Sequence, residues 1–510
     1  MRSIWQTGIA AAAVALQLLS AMPAAASVKG YRQANEHAIL TELAGLLAIP
    51  NVASDRENIR RNADALVAMM EKRGLKPRLL ESSDAKAPPV VYGEWRVAGA
   101  KRTIVLYAHY DGQPTDASQW TGSHPWKPVL RDKPLYAGGT VIPMPQPGEK
   151  IDPESRLYAR SASDDKAGVM AILAAIDALK AEGRAPAANI KIVFEGEEEA
   201  GSPHLADILG RHKALLKSDG WVIFDGPAHQ SGRVQVVFGA RGIIGADITV
   251  YGANRPLHSG HYGNWAPNPA MELSRLLASM KDETGRVLIK GFYDDVEPLG
   301  EAERRAIAEA PQVDRELQAA LGFGQPEGGG QSLLALISQP SLNIDGSKSA
   351  EVGGKARNII PTTATATLDM RLVRGNDYRR QFDKLVAHVR AQGFYVTDRE
   401  PTAEERARYP RVAQVALRDG YNAERADMDD PFARAVTDAV RHAGIGPIVN
   451  LPSMGGSLPL YVIRNTFDVP SIMVGIANHD NNQHAEDENL RLQNLWDGIE
   501  AAAGIMTMTF

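Results

Sequence analysis

The sequence predicts an α/β protein with a mostly parallel central sheet in its main domain and a smaller α+β domain inserted in the chain. Two observations predict this fold class. Short apolar segments alternate with helical segments through the first half, which is typical of parallel α/β layers. From about Gly239 the pattern changes to strands of alternating hydrophobicity, each followed by a helix, which is typical of a half-exposed sheet.

The first half supplies the elements of the main layer. Residues 31–74 are predicted to be helical, with leucines recurring on one face. Buried strands are predicted at 103–108, 189–194 and 221–224, because each is a short apolar run. An alanine-rich helix is predicted at 166–182 and closed by Gly183.

The second half supplies the inserted domain and the return to the main sheet. Strands at 243–250 and 363–372 and a helix at 377–392 indicate strand–helix pairs of a separate layer. An amphipathic helix at 429–443 and a strand at 471–476 are expected to rejoin the first layer. We therefore predict a main domain at 27–238 and 425–510, interrupted by an inserted domain at 239–424.

The first 26 residues have the features of a secretory signal peptide. Arg2 precedes an apolar run at 9–19, and the small residues 24–26 precede Ser27. The run is short for a bilayer core of about 30 Å, so a membrane span is the weaker interpretation. We expect cleavage near Ala26, a secreted or periplasmic protein, and no stable membrane anchor afterwards.

Composition narrows the function classes. The net charge of −5 and the lack of dense Lys/Arg blocks argue against nucleic acid as a partner. The chain has no cysteine, which excludes disulfides, thiolate metal sites and cysteine nucleophiles. Any metal site must therefore be built from His, Asp and Glu.

Such residues follow the predicted strands. His109, the run Glu197–Glu199 and Asp225 each come just after an apolar strand, where ligands gather in α/β sheets. Adjacent aspartates at 164 and 165 open the helix at 166–182, and His484 lies in a polar loop. Helix capping and a solvated acidic loop are the alternatives for single members of this set. Together they are typical of a site for hard or borderline metal ions.

The order of these motifs resembles the M20 metallopeptidases, and most closely the carnosinase-type dipeptidases and related carboxypeptidases. The resemblance runs from about residue 85 to the C-terminus. It is carried by H-x-D at 109–111, S-x-S-D-D-K-x-G at 161–168, E-G-E-E-E-x-G-S at 195–202, F-D at 224–225, L-H-S-G at 257–260 and the late histidine at 484. It implies a zinc-exopeptidase-like catalytic domain and a ferredoxin-like inserted domain that serves as a lid and in dimerisation.

The resemblance also implies a metal centre. Asp164 would bridge two divalent ions, expected to be Zn²⁺ with Mn²⁺ or Co²⁺ as alternatives. One ion would be completed by His109 and Asp225, and the other by Glu199 and His484.

Two further roles at this centre follow from the resemblance. Glu198 would be the general base, and Asp111 would orient the His109 ring. The Asp164–Asp165 peptide bond would be cis.

Substrate contacts are implied by further motifs. His258, in the L-H-S-G motif, would help to stabilise the oxyanion, often from the partner of a dimer. Arg371 would hold a substrate carboxylate, with a surface strand arginine as the alternative. Asn358, Gly456 and Ser457 would contact the substrate terminus.

The sequence thus predicts an exported di-zinc peptidase that hydrolyses dipeptides or C-terminal residues and forms a homodimer through the lid domain. Two alternatives stay open, namely an N-acyl-amino-acid deacylase on the same site and a metal-dependent binding protein without catalysis. The segments 135–151 and 282–341 are longer than a minimal member needs. They leave open the choice between small peptides and N-acyl amino acids as substrates.

Overall fold

The computed structural model describes residues 27–510. The predicted signal peptide at 1–26 lies outside the described residues. Within 27–510, no helix combines the length and the apolar character that a membrane crossing needs.

The strands fall into three stretches of the chain. Up to residue 240 they are β1 Arg78–Leu80, β2 Val90–Trp95, β3 Thr103–His109, β4 Val129–Arg131, β5 Val141–Ile142, β6 Arg156–Tyr158, β7 Asn189–Glu195, β8 Gly220–Ile223, β9 Gln235–Val237 and β10 Gly239–Ala240. Between 242 and 421 they are β11 Gly242–Tyr251, β12 Leu257–His258, β13 Ser341–Lys348, β14 Ile359–Ile360, β15 Thr363–Leu372, β16 Tyr395–Thr397 and β17 Val412–Tyr421. The remaining strands are β18 Glu424–Arg425, β19 Val449–Leu451, β20 Ser471–Gly475 and β21 Asn489–Arg491.

The helices are spread along the described chain. The first five are α1 Val28–Leu47, α2 Arg56–Lys72, α3 Lys166–Ala181, α4 Leu205–Arg211 and α5 Lys213–Leu216. The next seven are α6 Ser259–Tyr262, α7 Pro269–Ala278, α8 Glu301–Glu309, α9 Asp314–Leu321, α10 Leu333–Ile337, α11 Tyr378–Ala391 and α12 Ala403–Arg408. The last three are α13 Pro431–Arg441, α14 Leu460–Phe467 and α15 Leu492–Met506.

An eight-stranded sheet forms the centre of the first layer, in the order β1-β2-β7-β3-β8-β20-β9-β19. The neighbours β7, β3, β8 and β20 are parallel, whereas β1, β2 and β9 pair antiparallel with at least one neighbour. Helices α1, α2, α3, α13 and α15 cover one face, and α4, α5 and α14 cover the other. The result is a three-layer arrangement in which both faces of the sheet are buried, as parallel strands require.

A five-stranded sheet in the order β13-β15-β11-β17-β16 forms the second layer. Its long strands pair antiparallel, and helices α7 and α11 pack on one face. The order of the four long strands and the position of the two helices correspond to a ferredoxin-like unit with β16 added at one edge. The short pair β10–β18 lies next to the predicted boundaries at 238/239 and 424/425, and these boundaries stay a prediction.

The long helical segment predicted at 31–74 is two helices. Helix α1 ends at Leu47 and α2 begins at Arg56, with Pro50 between them. Proline has no N–H and cannot continue a helix, so the chain turns here. The Asp55 side chain then accepts a hydrogen bond from the Asn58 N–H and caps α2.

Candidate metal centre

The site lies at the carboxyl edge of the central sheet. His109 is the last residue of β3, the short 3₁₀ turn Glu198–Ala200 follows β7, and Asp225 follows β8. Because β7, β3 and β8 are parallel neighbours, their carboxyl ends lie side by side. The buried apolar strands therefore deliver imidazole and carboxylate groups to one place.

Two groups of ligand atoms meet at Asp164. The Nε2 atom of His109 lies 2.9 Å from Asp164 Oδ1 and 3.9 Å from Asp225 Oδ2. The Nε2 atom of His484 lies 3.2 Å from Asp164 Oδ2 and 3.1 Å from Glu199 Oε2. Within each group the ligand atoms lie within 4.8 Å of one another. Nitrogen and oxygen donors in this arrangement suit two divalent ions that share the Asp164 carboxylate.

The electrostatics of the groups also fit cations. Burial first, and then the charges of Asp164 and Glu199, raise the pKa of Asp225 to about 7. Hydrogen bonds to Asp164 and Glu199 raise the pKa of His484 to about 10. Carboxylates that are this close to one another and this buried need positive charge, which protons or metal ions supply.

The three consecutive glutamates have different surroundings. Glu197 pairs with Nδ1 of His204, 2.9 Å from its Oε2, and is turned away from the ligand groups. Glu199 contacts His484, whereas Oε2 of Glu198 lies 4.0 Å from Nε2 of His109. The backbone turn Glu198–Ala200 separates the adjacent side chains. Only one of the three, Glu198, faces the centre without belonging to a ligand group.

Asp111 organises both the histidine and this turn. Its Oδ1 lies 3.3 Å from Nδ1 of His109. Its two carboxylate oxygens accept hydrogen bonds from the backbone N–H groups of Glu198 and Glu199, each 3.1 Å long. One fully buried carboxylate thus orients a ligand and the turn that carries another ligand.

The surroundings of Glu198 favour its protonated form. Its side chain is 12% exposed, so solvent reaches it only at one end. Burial is the largest cause that raises the pKa of Glu198 well above its usual range, and the charges of Asp225 and Glu199 add to it. A carboxylate in such surroundings holds a proton more firmly than a carboxylate in water.

The adjacent aspartates divide two tasks. Asp164 faces the two ligand groups, whereas Asp165 caps α3 by accepting a 3.2 Å hydrogen bond from the Gly168 N–H. Asp165 also accepts a 3.1 Å hydrogen bond from the His109 N–H, and burial raises its pKa. The peptide bond between them is cis, as the resemblance implies.

Two residues that hold members of the ligand groups in place were not predicted from the sequence. The Glu488 carboxylate accepts hydrogen bonds from the N–H groups of Ser161, Ser163 and Asp164, so it holds the backbone of Asp164 from behind. Gln113 donates to Glu199 over 2.9 Å. Glu488 stands in the H-A-E-D-E stretch beside His484, but nothing in that stretch indicates a partner more than three hundred residues away.

A second cluster lies where the two layers meet. Nε of Arg371 donates to both oxygens of Asp369 at 3.0 Å, and its Nη1 donates to Ser457 Oγ at 2.9 Å. The Gly456 carbonyl accepts a hydrogen bond from the N–H of Arg241. Nη2 of Arg241 donates to the Gln339 carbonyl. Two guanidinium groups and one carboxylate leave an excess positive charge that suits an anion.

The structure does not bring every predicted residue to the centre. His258 ends β12 and Asn358 directly precedes β14, and both residues are exposed. The His258 ring accepts a hydrogen bond from the Gly260 N–H, and the Asn358 carbonyl accepts one from the Ser259 N–H. Within residues 27–510, no hydrogen bond or ion pair joins either of them to the two ligand groups.

The chain is similar to known metal-dependent peptidases. It is 25% identical over 480 residues to the Cys-Gly metallodipeptidase DUG1 of Candida albicans, with 90% of this chain and 92% of that protein covered. It is 25% identical over 433 residues to the Beta-Ala-His dipeptidase of Homo sapiens, with 81% and 77% covered.

Solved structures agree in fold. The M20 family metallo-carboxypeptidase Sso-CP2 from Sulfolobus solfataricus has a TM-score of 0.75 and 27% identity, with 92% of this chain and 98% of that chain covered. Human carnosine dipeptidase 1 has a TM-score of 0.73 and 21% identity, with 94% and 97% covered. These structures confirm the predicted fold class.

The family profile spans both parts of the main layer and the segment between them. Residues 105–508 match Peptidase family M20/M25/M40. The match begins within β3 and ends after α15, so it includes all five residues of the two ligand groups. The chain therefore belongs to the M20 peptidase family and is a metal-dependent peptidase, as its motifs predicted.

Proposed function

We propose that this protein is a di-zinc dipeptidase that hydrolyses small peptides with a free C-terminal carboxylate. The observation that carries the proposal is the position of Asp164. Its two oxygens face different ligand groups, one with His109 and the other with His484. A carboxylate in this position supports two ions a few ångströms apart, a spacing of about 4 Å in two-metal hydrolases.

The metal ions would supply a water of lowered pKa and polarise the scissile carbonyl. Glu198 accepts the proton of this water and returns it to the leaving nitrogen. Burial raises the pKa of this carboxylate, which favours acceptance of the proton. Asp111 holds the His109 ring and the backbone turn at Glu198 in fixed positions relative to each other.

The substrate class follows from the second cluster. Arg371 is held by Asp369 and Ser457 in a fixed orientation, and its guanidinium suits a carboxylate. The relatives named above act, by their names, on Cys-Gly and Beta-Ala-His. A site that combines a metal centre with a carboxylate-binding arginine supports dipeptides as the substrates of this chain as well.

Two glutamate variants test the mechanism. Glu198→Gln is expected to keep two equivalents of bound zinc and to lose turnover about 10²-fold or more. Glu197→Gln serves as the control, because Glu197 pairs with His204 away from the ligand groups. Zinc content by atomic absorption and turnover of a dipeptide panel are the measurements. Undiminished turnover in Glu198→Gln would discard the assignment of the base.

The alternative activity is hydrolysis of N-acyl amino acids. The same metal centre and the same Arg371 would serve it, since these compounds also carry a free carboxylate. Rates for dipeptides and for N-acetyl amino acids, measured side by side, separate the two. Turnover confined to the N-acetyl compounds would replace the dipeptidase proposal by the deacylase.

Dimerisation is part of the proposal. Edge strand β13 is exposed along most of its length, and Val352 and Trp265 of the same layer are 85% and 80% exposed. Exposed apolar groups on an open sheet edge favour pairing with another chain. A second copy would also offer its own His258 to the site. Sedimentation at several protein concentrations tests the dimer, and a monomer at all of them contradicts it.

Export is proposed from residues 1–26 alone. Their basic start, short apolar run and small residues support cleavage before Ser27. Cell fractionation and N-terminal sequencing of the mature protein provide the test. A cytosolic protein with an intact N-terminus would remove this part of the proposal.

A further inference from the structure

Tyr421 stands in one row with Arg371 across the second sheet. In the strand register, Ser341 lies opposite Arg371, Arg371 opposite Ile243, and Ile243 opposite Tyr421. Residues directly opposite one another in antiparallel strands point to the same face. Neighbouring strands are about 4.8 Å apart, so the backbones of Arg371 and Tyr421 are about 10 Å apart.

This row lies on the face that looks away from the helices of its own layer. The next residues along the strands, Ile244 and Met370, are fully buried against α7 and α11. Side chains alternate along a strand, so Arg371 and Tyr421 point to the opposite face. That face meets the main layer, because Arg371 contacts Ser457 and the Tyr421 ring stacks on Tyr461 of α14.

The Tyr421 hydroxyl and the Arg371 guanidinium approach the same side chain. Nη1 of Arg371 donates to Ser457 Oγ at 2.9 Å. The Ser457 side chain is also close enough to Tyr421 to lower its pKa, although burial and the nearby Glu198 charge leave that pKa raised. The phenol therefore stays neutral and keeps its hydrogen. The Tyr421–Tyr461 stack, with ring centroids 4.9 Å apart and planes at 15°, holds it in place.

We propose that Tyr421 is a specificity-determining residue that donates a hydrogen bond to the C-terminal carboxylate of the substrate, from the side opposite Arg371. This inference rests on the proposed peptidase function and adds a second donor to its anion site. A carboxylate has two oxygens and can accept from the guanidinium and the phenol at the same time.

The variant Tyr421→Phe removes the hydroxyl and keeps the ring that stacks on Tyr461. We expect it to raise KM for a dipeptide about tenfold or more, the effect of losing a hydrogen bond to a charged group, with kcat changed much less. For the same dipeptide with a C-terminal amide, the KM of Tyr421→Phe should equal that of the wild type, because this substrate has no terminal carboxylate. The ratio of the two KM values is therefore the readout, and a purely structural role would not change it.

Tyr395→Phe is the matched control. Tyr395 also stacks on another tyrosine, Tyr409, with centroids 3.9 Å apart, but its hydroxyl donates to Glu405 of α12. The control should leave both KM values unchanged. Equal KM ratios in wild type and Tyr421→Phe would overturn the inference while leaving the proposed function intact.

A binding measurement covers the case in which no dipeptide is cleaved. Titration calorimetry of a dipeptide into Glu198→Gln and into the double variant with Tyr421→Phe measures the same contact without turnover. A dissociation constant about tenfold weaker in the double variant supports the inference. Equal constants overturn it, whatever the activity of the wild-type protein.

Discussion

The carboxylate of Glu488 offers the sharpest test of how the centre is held. This side chain is fully buried and accepts five hydrogen bonds. Oε2 accepts from Nη1 of Arg160 and from the Ser161 N–H, both at 2.8 Å. Oε1 accepts from the N–H and hydroxyl of Ser163 and from the Asp164 N–H, at 2.9–3.1 Å. The network joins Asp164 to the buried ion pair of Glu488 and Arg160.

The change Glu488→Gln keeps the shape of the side chain and replaces one oxygen by an NH₂ group. In the less costly orientation this group faces Arg160 and Ser161, so a buried guanidinium and a buried N–H lose their acceptor. Breaking a buried pair in this way costs about 3–5 kcal/mol. Because the Asp164 N–H stays bonded but less firmly positioned, we also expect metal affinity to fall about 10- to 100-fold.

Denaturant unfolding of the metal-free protein and competition with a chelating dye measure the two effects. Glu154→Gln is the matched control, since Glu154 is exposed and pairs with Arg491 at the surface. The control should change the unfolding free energy by less than about 1 kcal/mol. An equal effect of both variants would refute the reasoning for Glu488. A loss of stability with unchanged metal affinity would limit its role to the fold.

Three further predictions concern pH, substrate binding and metal removal. Burial raises the pKa of Asp497 to about 6. The folded protein therefore keeps a proton on Asp497 at pH values at which the unfolded chain has lost it, and at higher pH the buried charge destabilises the fold. Asp497→Asn should therefore raise the unfolding free energy by about 1–3 kcal/mol at pH 8 and by little below pH 4. An equal gain in unfolding free energy at the two pH values would contradict this. Arg371→Lys should raise KM for dipeptides about tenfold and leave kcat nearly unchanged, because a lysine cannot make the same planar contacts; steady-state kinetics decide. Chelation should abolish turnover until zinc is returned, and the melting temperature of the metal-free protein should fall between about pH 4 and pH 7. The reason is that the unfolded chain loses the Asp225 proton in that range, whereas the folded protein keeps it up to its pKa of about 7; a flat profile would contradict it.

The sequence determined the elements of the fold and the chemistry of the centre. The apolar runs at 103–108, 189–194 and 221–224 became neighbouring strands, because each is short, buried on both faces and followed by a polar turn. His109, Glu199 and Asp225 stand just after these strands, and parallel strands end at one edge of a sheet. The order of the family's motifs then added His484 and Asp164 to the candidate set.

The tertiary structure decided what neighbouring residues of the same type do. Three consecutive glutamates look alike in the sequence, and only the position of His204 beside Glu197 shows which of them is turned away. Asp164 and Asp165 are likewise adjacent residues of the same type. Only the backbone of the folded chain directs Asp164 to the ligand groups and Asp165 to the cap of α3.

The same holds for contacts between distant parts of the chain. Glu488 reaches Asp164 across 324 positions, and Tyr421 shares a row with Arg371 only through the register of β11 between them. Local sequence patterns report propensity and burial, which act over a few residues. Contacts between such distant residues depend on the packing of the whole fold, so local sequence patterns do not predict them.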